Sequence, residues 1–135
     1  MNQKLIIALP YHLPRELSPN ASRECPQGLK NRLLAEARDI AKPLMADARN
    51  SWERINKTRW EALEKCLMKV TFYYAEERRR DKDNIYGNRA WKAIQDMLVE
   101  TEIIADDSSE HLTIEDPELK IDKESAPLII LEIRG

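Results

Sequence analysis

Two stretches with apolar residues every three or four positions, flanked by short runs of β-branched and aliphatic residues, constrain this chain most. In the first, Leu29, Leu33, Leu34, Ala37, Ile40 and Ala41 recur at helical spacing, so one stripe of that helix faces a core. Pro43 is expected to kink or break it, because proline removes a backbone donor and clashes with the preceding turn. Helix then resumes through Met45, Ala48, Trp52 and Ile55. In the second stretch, Ala90, Trp91, Ile94, Met97 and Leu98 form the apolar face.

KLIIAL, closed by Pro10, reads as a strand, and LMKVTFYYA has the β-propensity of a long one. Residues 112–121 and 128–133 read as two closing strands; Pro117 makes the first interrupted or an edge strand. The expected order is strand, helix, strand, helix, strand, strand: an α+β domain with a mixed sheet of about four strands and two main helices. A mere 3 glycines argue against a turn-rich all-β sandwich. The 135 residues show no repeat and no linker, which predicts one domain over 1–135. The second helix is expected to be capped by Asp83 or Asn84, or to begin after Gly87, where glycine is costly inside a helix.

The apolar runs fall far short of the roughly 20 residues that a membrane helix needs, and Met1 leads into no signal-peptide pattern. No membrane association and a cytoplasmic location are expected. Cys25 and Cys66 belong to no metal-ligand spacing and are expected to be reduced.

The net charge of -2 conceals a strong local imbalance. Arg78, Arg79, Arg80, Lys82, Arg89 and Lys92 dominate residues 78–92, whereas acids dominate 100–124. A basic face, rather than a basic total, is what a surface meeting phosphates requires. Within RRRDKDN, at 78–84, an extended backbone sets Asp81 and Asp83 on the same face. Carboxylates held that close repel unless a cation or a base joins them. A hard divalent ion such as Mg²⁺ takes one or two such carboxylates together with phosphate oxygens. The helix that follows turns the chain back, so Asp106 and Asp107 can join Asp81 and Asp83 around one metal position or two. The alternative reading of the same residues is a helix cap at Asp83 and a turn at Asp106-Asp107-Ser108.

RRRDKDN, then a helix, then IIADDS resembles the core motif of the RusA-like Holliday-junction resolvases and their phage relatives: a strand ending in bases, D-x-D-N, a helix, and a D-D pair before the final strands. The opening KLIIALPYHLPRELSPN is similar to that family's first strand and proline-rich loop, and LIILEI to its last strand. The resemblance implies a homodimeric endodeoxyribonuclease that uses Mg²⁺ or Mn²⁺ to cut four-way or other branched DNA in recombination and repair. It also implies that Asp81, Asp83 and Asp107 are the essential carboxylates and metal ligands, with Asp106 a further candidate ligand. Arg78, Arg79, Arg80, Lys82 and Arg89 are the expected DNA-binding residues. The family lysine one helical turn beyond the second aspartate is replaced here by Gly87. Lys92 and Arg89 are the nearest basic residues in the helix, neither at the matching spacing, and Lys92 is the candidate for the catalytic role of that lysine. A catalytically impaired junction-binding or protein-binding module of the same fold is the alternative.

Overall fold

The structure, a computed structural model, describes residues 3–74, 85–124 and 126–135. Strand β1 (Lys4–Leu9) buries Leu5, Ile7 and Leu9 and turns Ile6 outward, the period-2 pattern of a sheet covered on one side. A proline-rich loop with a short 3-10 turn (Arg15–Leu17) leads to helix α1 (Gln27–Asn56). Next come β2 (Cys66–Tyr74), α2 (Arg89–Glu100), β3 (Leu112–Ile114), β4 (Glu118–Ile121) and β5 (Leu128–Arg134). The chain is α+β: among the described residues, two long helices pack on a mixed five-stranded sheet. None of the described helices is long and apolar enough to cross a membrane.

Sheet order is β1-β5-β2-β3, and β4 also pairs with β2. Strand β5 runs antiparallel to both β1 and β2, in the register Ile7↔Leu131 and Val70↔Leu131. Strands β3 and β4 are both parallel to β2, one beside Cys66–Met68 and the other beside Thr71–Tyr74. They are the strand expected over 112–121, interrupted at Pro117 as one of the two expectations had it, and with them the described residues form five strands where about four were expected. Buried Pro117 has no amide hydrogen for the ladder, so pairing stops and restarts around it.

Helix α1 runs without a break through Pro43, contrary to the expected interruption. Pro43 and Asp39, whose carbonyl loses its intrahelical donor, both lie on the exposed side, where water meets that carbonyl. Ala37, Ala41 and Met45 stay buried on the opposite side, spanning the proline. Packing on both sides of Pro43 outweighs its local cost. The helix ends at Lys57, whose φ of 54° is left-handed.

The core lies between the helices and one sheet face: Val70, Phe72, Trp91, Ile94, Leu98, Ile129, Leu131 and Ile133 are all buried. Trp91 meets Phe72 edge-on at 6.0 Å. A second cluster of Leu17, Ala37, Ala90 and Ala93 joins α1, α2 and the proline-rich loop. Its three alanines let the helices approach closely. Tyr11 packs against both clusters from beneath the proline-rich loop. The open sheet face carries an ion-paired ladder that includes Lys4 with Glu132 at 2.8 Å and Lys69 with Glu118 at 3.3 Å.

Candidate functional site

Helix α2 and the loop after it bring together residues far apart in sequence. The N-cap of α2 is Asn88, whose side chain accepts from the Ala90 amide at 2.9 Å; Asp83 and Asn84, the expected caps, lie outside the described residues. Its Nδ2 also donates to the Pro14 carbonyl at 2.8 Å, tying the helix start to the proline-rich loop. A side-chain acceptor followed directly by the apolar period 90, 91, 94, 97, 98 makes position 88 the best local cap. The helix therefore starts beyond Gly87.

At its other end α2 closes on Thr101, whose amide donates to the Met97 carbonyl. Glu102 takes a φ of 60°, and the Ile103 and Ile104 amides both return to the Leu98 carbonyl. This reversal sends Ile103 and Ile104 into the core and the next residues back along α2. Leu63 bridges Ile104, with Leu63 N–H to Ile103 O at 3.1 Å and Ala105 N–H to Leu63 O at 2.9 Å. The buried Trp60 indole also donates to the Ile103 carbonyl, at 2.9 Å. Downstream, the Ser108 carbonyl accepts from His111 and Leu112 at 2.9 and 2.8 Å. Asp106 and Asp107 thus sit in a short loop pinned at both ends.

Lys92 Nζ pairs directly with Asp107 Oδ2, and lies 3.2 Å from Asp96 Oδ1 one turn further along the helix. The Asp107 side chain is only 15% exposed, so its charge must be matched locally. The Lys92 ammonium does so and holds the Asp107 carboxyl below the usual carboxylate range; burial opposes that shift, while a hydrogen bond from its own backbone and one with the Asp106 side chain assist it. The hydrogen bond to Asp107 in turn raises Lys92 above the ordinary lysine value. Asp106 Oδ1 accepts from the Asp107 amide at 2.8 Å, fixing the turn. Beside it, His111 Nδ1 donates to the Glu64 carbonyl at 2.7 Å, which leaves Nε2 3.9 Å from Asp106 Oδ2. Arg89 is exposed in the first turn of α2 and, three residues before Lys92, lies on the same side of the helix.

Of the residues singled out by sequence, Lys92, Arg89, Asp106 and Asp107 lie within the described part, and Lys92 and Asp107 are in contact. Arg78, Arg79, Arg80, Asp81, Lys82 and Asp83 lie outside the described residues. Sequence reasoning did not single out Asp96, although Lys92-x-x-x-Asp96 has the spacing of a helical ion pair. It also gave His111 no place beside Asp106. Among the described residues no group of three or more His, Cys, Asp or Glu side chains forms a metal cage. The donor chemistry nevertheless fits a hard divalent ion, because Asp107 is an ionised, mostly covered carboxylate that already holds a cation, the Lys92 ammonium.

The chain matches no protein-family model, and no curated protein matches it.

Proposed function

We propose that the chain is a metal-dependent endodeoxyribonuclease that resolves four-way or other branched DNA by phosphodiester hydrolysis, acting as a homodimer. The observation that carries this reading is the direct pairing of Lys92 with Asp107. That contact joins the helix that follows the D-x-D-N motif to the D-D pair, two consecutive parts of the pattern through which the chain resembles RusA-like resolvases.

In this reading Asp81, Asp83 and Asp107 hold Mg²⁺ or Mn²⁺, with Asp106 bracing the loop and available as a further oxygen donor. A bound divalent ion would activate water and neutralise charge on the phosphodiester. Arg78, Arg79, Arg80, Lys82 and Arg89 grip the phosphate backbone as point charges and planar forks. Lys92 takes the part left vacant at Gly87: its ammonium, kept fully charged by its acidic neighbours, stabilises the leaving oxygen. A two-fold dimer presents two such sites to a junction of two-fold symmetry.

The test is cleavage of a labelled synthetic four-way junction in Mg²⁺ and in EDTA, with linear duplex and single strand alongside. Paired nicks near the branch point that vanish in EDTA and with Asp81→Asn are expected. An intact junction across a range of Mg²⁺ and Mn²⁺ concentrations would refute the nuclease. Junction binding that persists without cutting would identify a binding module instead.

A further inference from the structure

Lys92 has two acidic neighbours, and only one of them belongs to the loop assigned to the metal. Asp107 takes the ammonium from the loop side. Asp96 takes it from the same helix, at 3.2 Å. The three side chains are unequally covered: Lys92 is 62% exposed, Asp96 45% and Asp107 15%. The covered carboxylate is therefore the one with the greater need of a cation, while the exposed pair on α2 is free to adjust.

A divalent ion and an ammonium compete for the same Asp107 oxygens, and two cations that close repel each other. A flexible lysine stem with three donors can leave one carboxylate and keep the other without any change in the backbone. We propose that Asp96 is the holding partner of Lys92: when Asp107 turns to a divalent cation, the Lys92 ammonium releases Asp107, stays on Asp96, and remains beside the site. The inference rests on the metal-binding reading of Asp107. It makes Asp96 a positioning residue, acting through Lys92 rather than on the cation or the DNA. Without Asp96 the ammonium keeps Asp107 as its only partner among the described residues, and a metal must displace it with nothing to receive it.

The probe is Mn²⁺, titrated at fixed ionic strength and read by loss of the free-ion electron paramagnetic resonance signal. Wild type is compared with Asp96→Asn, Lys92→Met, Asp96→Asn with Lys92→Met together, and Asp107→Asn. Thermal melts confirm that each variant is folded. Asp96→Asn is expected to weaken Mn²⁺ binding by about three- to fivefold, the scale of one exposed ion pair. In the Lys92→Met background the same change is expected to have no effect, because no ammonium remains to be held. An equal penalty in both backgrounds would make Asp96 a nearby negative charge and nothing more, and would overturn the proposal. Wild-type affinity in Asp96→Asn would overturn it as well. Wild-type affinity in Asp107→Asn, or no Mn²⁺ binding by wild type, would instead remove the metal reading beneath it.

Discussion

Asn88 is 3% exposed and makes two hydrogen bonds with different consequences, so substituting it separates local from long-range support of α2. Removing an Asn cap costs about 1 kcal/mol. The Pro14 carbonyl loses its Asn88 donor but keeps the Leu17 amide at 3.2 Å, so its loss falls at the low end of the range for a buried acceptor, about 1 kcal/mol. Asn88→Ala removes both, for a total of about 2 kcal/mol, which at about 4 °C per kcal/mol for a domain of this size lowers Tm by about 8 °C. Asn88→Ser keeps a capping oxygen and loses only the bond to Pro14, for a cost of about 1 kcal/mol. Equilibrium urea unfolding of wild type and both variants, with the midpoints compared at a shared slope, gives the two differences. Equal losses for Ala and Ser would show that the cap contributes nothing. A loss below about 0.5 kcal/mol for Ala would refute the account of how α2 is anchored.

Two further perturbations address the loop that presents Asp107. Trp60→Phe removes the indole donor to Ile103 and part of a buried ring, and should cost about 2 kcal/mol in urea unfolding while weakening Mn²⁺ binding through the displaced Asp106-Asp107 turn; unchanged stability would mean that the loop is not held from this side. Lys92→Met should destabilise by at most about 1 kcal/mol near neutral pH, since Lys92 is largely exposed. The sign with pH follows from both partners. Asp107 is depressed, so the pair's contribution is present above the ordinary carboxylate value and is lost as pH falls through the lowered one. Lys92 is raised, so the contribution is complete below the ordinary lysine value and is lost as pH rises through the raised one. The gap between wild type and Lys92→Met should therefore stay level from about pH 5 to pH 9 and close in acid. A gap that persisted after full protonation of Asp107 would mean that Lys92 acts by packing alone.

Much of the fold is legible locally. KLIIAL closed by Pro10 gives β1 its bounds, and the leucine and alanine spacing from Leu29 gives α1 its buried stripe. Pro43 misleads because its effect depends on which way it faces, and the direction comes from the sheet beneath the helix. Pro117 does act as a breaker, dividing one strand into β3 and β4. The meeting of Lys92 with Asp107 is harder to read because it depends on the reversal at Glu102. A left-handed glutamate carries no glycine to announce it. The pair Lys92 and Asp96, one helical turn apart, was visible in the sequence, but its importance appears only once Asp107 stands on the other side of the ammonium.

The proposed nuclease requires the D-x-D-N segment and the Asp107 loop to serve one cleavage site. The most direct measurement is the single-turnover cleavage rate of a four-way junction in Mg²⁺ by wild type, Asp81→Asn, Asp107→Asn and the double variant. Ligands of one metal act as a unit. Each single change should lower the rate by at least roughly 100-fold and the double change should lower it no further. Full activity in Asp107→Asn, or losses that multiply in the double variant, would mean that the two segments do not share a site.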